Sequence, residues 1–220
     1  MFEKIINLIK QRTKVNFDAS VFNDPFATQI EWSPAARGGA NFRTHKLVQI
    51  NINRIEFKAG LFLKFFAGSF TLFGIMFATI IPFVILKQQD VNPLFMIIPL
   101  LFGSIFALIG YFIYKYSCSP RVFDKGMGFY WKGSEEPNQM INPEYQKYIK
   151  LNEIHAIQLI SEWVRGNKTS YTSYELNIVM KDKRRINVID HGNLKSIRED
   201  TSSLAEFLNV PVWDATGERK

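Results

Sequence analysis

Two uninterrupted apolar runs dominate the pattern of the chain, and the sequence on either side changes between apolar and polar on a much shorter period. The first run covers about residues 65–86 and the second about 93–114, and neither carries a charged side chain. At 1.5 Å per residue each is long enough to cross a hydrocarbon core of ~30 Å. Between them, Lys87-Gln-Gln-Asp90-Val-Asn92 is too short to return across a bilayer. The runs therefore predict a tight antiparallel helical hairpin in a membrane rather than a buried pair in a soluble core. Lys64 sits at the edge of the first run, where a long side chain can snorkel to the interface.

After the second run the period falls to two. Arg121 to Trp131 reads as a short hairpin turning at Asp124-Lys-Gly126. His155 to Val164 reads as a long strand, Tyr171 to Met180 as a second, and Arg185 to Asp190 as its partner across the turn Lys181-Asp-Lys-Arg184. In Tyr171–Met180, the residues Tyr174, Leu176, Ile178 and Met180 share one face, with Glu175 and Asn177 on the other. Ser134 to Tyr145 reads as a polar loop. Leu194, Ile197, Leu204 and Leu208 keep helical spacing behind Asn193 as cap, and Val210-Pro-Val-Trp213 ends the helix. Before the hairpin, Phe2, Ile5, Ile6 and Ile9 fall on one helical face, which suits either a membrane surface or ordinary packing. Ala27–Trp32 and Phe42–Asn53 read as strands, and residues 25–57 are expected to join the carboxy-terminal sheet, with the membrane hairpin inserted into one folded unit.

Composition and charge change this picture in three ways. The mean hydropathy of −0.05 conceals the concentration of apolar residues in the two runs. The formal charge of +7 is not a nucleic-acid footprint: residues 1–58 carry 9 basic and 5 acidic side chains, whereas residues 117–220 carry 15 and 14. Basic residues flank both runs on the outer sides (Arg43, Lys46, Arg54, Lys58 and Lys64 before, Lys115, Arg121, Lys125 and Lys132 after), while the connecting loop offers only Lys87. By the positive-inside rule both termini are cytoplasmic, and the localisation expected is the inner cell membrane. No cleavable signal peptide is expected at the amino terminus. A single Cys and three separated His exclude a disulfide framework and argue against a zinc centre.

Candidate chemistry is sparse. Inside the runs the polar groups are the hydroxyls of Ser69, Thr71, Thr79 and Ser104, which can bond carbonyls of their own helix, so no ion or substrate path is indicated. Gly74-x-x-x-Ala78 and Gly103-x-x-x-Ala107 are small-residue pairs that can bring the two helices together or form a homo-oligomer face. The most distinctive stretch is Ser33 to His45. Gly38 and Gly39 allow backbone angles closed to other residues, and Arg37, Asn41, Arg43, His45 and Lys46 surround them with donors. One reading is an anion site for a lipid headgroup phosphate, joined by the Lys183-Arg184-Arg185 tip. The other is a hairpin loop whose polar groups cap neighbouring strands. No following helix makes it a P-loop. No set of side chains takes convergent catalytic roles, and neither an enzyme nor a cofactor is expected.

The segments Phe123-Asp-Lys-Gly-Met-Gly-Phe-Tyr-Trp131, Leu151-Asn-Glu-Ile-His-Ala-Ile-Gln158 and Leu204-Ala-Glu-Phe-Leu-Asn-Val-Pro-Val-Trp-Asp214 resemble the bacterial pleckstrin-homology-like domains, and the whole chain resembles uncharacterised bacterial two-span membrane proteins that carry such a domain. The resemblance covers about half the chain and departs from the pattern at the loop 132–148. It implies a small bent β-barrel or sheet capped by a carboxy-terminal helix, with binding or scaffolding as its role. The expected architecture is then a membrane α-helical hairpin plus an α+β domain: a cytoplasmic segment 1–58, the hairpin 59–116 and a PH-like domain 117–220. The expected function is a membrane-anchored interaction module for a protein partner, with recognition of anionic lipid headgroups as the alternative.

Overall fold

The computed structural model describes residues 17–36, 38–88, 92–137, 148–166 and 169–217. The predicted amino-terminal helix, most of the polar loop after Ser134, and Arg37 lie outside the described residues. The chain forms two compact units. One holds residues 57–121 with 132–136, and the other gathers the chain before and after them.

The first unit is a helical hairpin. Helix α1 (Leu61–Leu86) extends past its charge-free run at the start, helix α2 (Ile97–Ser117) begins and ends three or four residues later than its run, and both are long and apolar enough to cross a membrane. They run antiparallel with their backbones in contact. A Cβ on Gly74 would lie 2.2 Å from the Ala107 nitrogen, one on Gly103 2.4 Å from the Ala78 nitrogen, and one on Gly110 2.5 Å from the Thr71 nitrogen. The two small-residue pairs named from the sequence therefore face each other. Phe70, Phe73, Phe77, Phe102 and Phe106 interdigitate alongside this seam, with neighbouring ring centroids 4.7–5.8 Å apart. The hydroxyls of Ser69, Thr71, Thr79 and Ser104 donate to carbonyls one turn back in their own helices, as expected. Pro82 lies inside α1, but Pro99 falls in the first turn of α2, where no intrahelical N–H is required, so no kink is needed there.

The second unit is α+β. Strands β1 (His45–Asn51), β2 (Arg54–Ala59), β3 (Arg121–Asp124), β4 (Phe129–Lys132) and β5 (Tyr148–Lys150) lie in one sheet in that order. Strands β2 and β3, the immediate flanks of the helical hairpin in sequence, are thus neighbours in one sheet. The turn after β3 starts at Asp124-Lys-Gly126 as read from the sequence but runs on to Gly128, so the return strand begins at Phe129 rather than Met127; Gly128 takes φ +78°, and its N–H donates to the Asp124 carbonyl at 2.8 Å. A second sheet has the order β8-β7-β6-β9, formed by β6 (Ile154–Arg165), β7 (Ser170–Met180), β8 (Arg185–His191) and β9 (Val212–Ala215). Helix α3 (Leu194–Leu208) starts at Asn193, whose side chain accepts from Ser196 N–H at 2.9 Å, and ends at left-handed Asn209. It does not end the fold. The segment read from sequence only as a helix stop continues into β9, parallel to β6, so α3 is a crossover packed on β6 and β7.

The other face of this second sheet is covered by the chain from Phe17 to Ala40. Ala27–Trp32, predicted as a strand, is instead a turn of 3₁₀ helix (Ala27–Gln29) followed by extended chain. Ala27 and Ile30 are three residues apart, as that turn requires to bury both, and the Trp32 indole donates back to the Ala27 carbonyl at 3.0 Å. Phe17, Phe22, Phe26 and Trp32 close over Ala156, Ile160, Val179 and Trp213 in one apolar cluster.

Candidate functional site

Half of that covered face is polar, which is unusual for buried sheet. Register places Gln158 opposite Asn177 and Ile160 opposite Glu175, so Gln158, Asn177, Glu175 and Ser173 project to the side on which Phe17–Ala40 lies. Glu175 and Asn177 are essentially inaccessible. The reason is the irregular segment above them. A stretch without a ladder must find partners for its backbone elsewhere, and here it finds side chains. Gln158 Nε2 donates to the Glu31 carbonyl (3.1 Å) and Arg185 Nη1 to the Ser33 carbonyl (2.6 Å). The Ala35 and Ala36 N–H groups donate to the two oxygens of Glu175 at 2.8 and 3.1 Å. The Ala40 N–H donates to Ser173 Oγ at 2.8 Å, and the Tyr171 hydroxyl donates to the Gly39 carbonyl at 3.0 Å. Asn177 braces Glu175 from below at 2.6 Å.

The anion cradle of this loop thus lies upstream of its glycines, at the Ala35 and Ala36 N–H groups, and is filled by an internal carboxylate. The two glycines serve different ends. Gly38 takes φ +88° in open space, whereas a Cβ on Gly39 would lie 2.2 Å from Ser173 Oγ. The cations expected around it are dispersed. Arg43 pairs with Asp200 at 3.2 Å and donates to the His45 carbonyl at 3.3 Å. His45, expected among the donors of the loop, is instead buried at the start of β1 with Nδ1 3.0 Å from Thr44 Oγ1. Asn41 is exposed through its side chain, and its backbone packs on Gly192, where an added Cβ would lie 2.1 Å from the Asn41 carbonyl carbon. Lys46 and Lys183 are exposed. The Lys183–Arg185 tip is not one basic patch: Arg184 pairs with Asp182 at 2.6 Å, while Arg185 turns inward to the loop and Glu31. Of the Lys183–Arg185 tip, it is Arg185 that meets the loop through its side chain.

A second buried cluster lies where the chain turns from this loop into β1. Thr44 Oγ1 donates to the Asp190 carbonyl, Gly192 N–H donates to the Phe42 carbonyl at 2.9 Å, and His191 Nδ1 accepts from Asn193 N–H at 2.9 Å. Burial, followed by the Arg43 charge, pushes His191 down to about 4. Burial holds Asp200 above its usual range, against the opposing pull of Arg43. The sequence placed Glu175 and Asn177 on one strand face without a role and gave none to Ser173, Gln158 or Asp200. The available signal was polar residues recurring with period two in strands otherwise apolar. An open groove of about 340 Å³ also lies between the β3–β4 turn and β5, lined by Lys125, Met127, Phe129, Lys150 and Leu151 among others. Among the described residues no group of His, Cys, Asp or Glu has an arrangement that could hold a metal ion. No family model, no curated protein and no solved structure matches the chain.

Proposed function

We propose that this protein is a membrane-anchored, non-enzymatic interaction module. Helices α1 and α2 span the inner membrane as a hairpin, both termini are cytoplasmic, and the α+β unit, which we read as PH-like with β9 added after its helix, is displayed there to recruit or position a protein partner. The observation that carries the anchor is the outer surface of the hairpin. Leu72, Phe73, Ile98, Leu101 and Ile105 are exposed along helices whose small residues already face each other. An apolar shell of this extent is matched by lipid and not by water. Protein binding is favoured over headgroup recognition because the cradle that an anion would enter is occupied by Glu175, and Arg43, Arg184 and Arg185 are paired within the fold.

Photo-crosslinking in cells from a reactive residue replacing Phe42, beside the Gly-Gly loop, tests the choice. The expected result is a discrete heavier protein band that persists at raised salt. Lipid adducts without a protein band would replace this reading by headgroup recognition, whose charge-based contacts weaken as salt screens them.

A further inference from the structure

The β6–β7 hairpin is longer than the sheet it belongs to. Strand β9 pairs only with Ile157–Ile160 of β6, and β8 reaches only to Tyr174 of β7, whereas β6 and β7 remain paired out to Arg165 and Ser170. Beyond Ser161 and Tyr174 the pair is a two-stranded ribbon to which no third strand is added among the described residues, an element of marginal stability by itself. One of its faces is held by the Gly39–Ala40 backbone through Tyr171 and Ser173. By strand alternation the other face carries Ser161, Trp163, Arg165, Ser170, Thr172 and Tyr174, with Trp163 directly opposite Thr172. Four tryptophans occur in the chain. Trp32, Trp131 and Trp213 are buried, at 7%, 0% and 1% exposure, but Trp163 is 58% exposed.

We propose that the Trp163 face of this ribbon lies in the headgroup–acyl boundary of the membrane. This rests on the membrane reading of the hairpin given above. Three observations select lipid as the occupant. The apolar content of the face is little more than one indole, far below the ~800 Å² per partner of a stable protein interface, whereas a bilayer boundary accepts single side chains. Its residue types are those of that boundary: an indole with an apolar body and one polar N–H, a tyrosine, two serines and a threonine, and a cation in Arg165 suited to lipid phosphate. The lipid is also held by the same chain, so the contact forms at a high effective concentration and a single weak anchor suffices.

The full chain, reconstituted in phosphatidylcholine vesicles containing a minority of phosphatidylglycerol, provides the test. Because the other three tryptophans are buried, the difference between the native protein and Trp163→Phe isolates the emission of Trp163. That component should be blue-shifted relative to aqueous indole, roughly halved by lipids brominated high in the acyl chain, little affected by lipids brominated near the bilayer centre, and shielded from aqueous iodide. Arg165→Glu should reduce the shallow-bromine quenching, with near-ultraviolet circular dichroism reporting an unchanged fold. A Trp163 component open to iodide and unaffected by bromolipid overturns the ribbon contact. Extraction at alkaline pH with carbonate separates the two readings. If the chain stays with the membrane while Trp163 is aqueous, only the ribbon proposal fails; if it is released, both fail.

Discussion

Glu175 sets the behaviour of the Gly-Gly loop through two oxygens and two backbone donors. Glu175→Ala leaves the Ala35 and Ala36 N–H groups without their acceptor and the Asn177 amide with Gln158 Oε1 alone, and a buried group left unpaired costs ~1–3 kcal/mol. The expected outcome is a clear loss of stability in a denaturant or thermal melt of the purified protein, together with early protease access to residues 33–41. Gly39→Ala should also destabilise, because its methyl group meets Ser173, and that cost should shrink in a Ser173→Gly background, giving a measurable coupling in a double-mutant cycle. His191 adds a pH dependence. Its folded value lies near 4, below the usual 6.5, so between those values the unfolded chain binds the proton and the folded chain does not. Stability is thus greatest above pH 6.5, falls as pH drops from 6.5 towards 4, and gains no further slope from this residue below that; the full effect is a few kcal/mol. Asp200 acts in the opposite sense. Its raised value means that its contribution, full below 3.8, is lost as pH rises from there through the folded value, which offsets part of the slope at the acid end. A melt series across this range should be flatter for His191→Gln than for the native protein, and an unchanged slope would place the dependence elsewhere.

At the scale of elements, the hairpin seam depends on missing side chains. Gly74→Leu or Gly103→Leu must push the helices apart, since even a Cβ at either site meets backbone of the other helix. The expected result is loss of a disulfide engineered across the seam, or loss of protection of the hairpin from protease in detergent; Gly68→Leu, where a Cβ meets nothing, should leave both unchanged. The helices were legible in the sequence because length and absence of charge suffice to define them. Strands β6, β7 and β8 were legible because their turns carry Gly, Asn, Asp or Lys and their alternation is regular. Ala27–Trp32 was misread because Thr28, Ile30 and Trp32 satisfy a period-two strand template while Ala27 and Ile30 satisfy a 3₁₀ turn, and packing on Trp213 decides between them. β9 was missed because Pro211 does end a helix, while its carbonyl also accepts the Ile157 N–H that begins a parallel pairing across the sheet. The candidate site was legible only as a loop: that Glu175 enters it depends on a contact spanning most of the chain, to which no local pattern points.

Across the whole molecule, the single cysteine offers a test of topology. Cys118 follows α2 directly, and burial pushes its thiol above the usual value of 9.0 against the opposing charges of Lys64 and Arg121. Because the thiolate is the reacting species, a membrane-impermeant maleimide should label it slowly at neutral pH and faster as pH rises, and only after cells are permeabilised. Labelling from outside intact cells would reverse the proposed orientation. The adjacency of β2 and β3 has a further consequence for the order in which the protein comes into being. Translation delivers β2 before either long helix and β3 only after both, so the first sheet cannot close while the hairpin is incomplete. Under the membrane reading proposed above, its closure then becomes a checkpoint on insertion: a nascent chain whose helices have failed to pair would expose an unzipped sheet edge to the quality-control proteases of the cell.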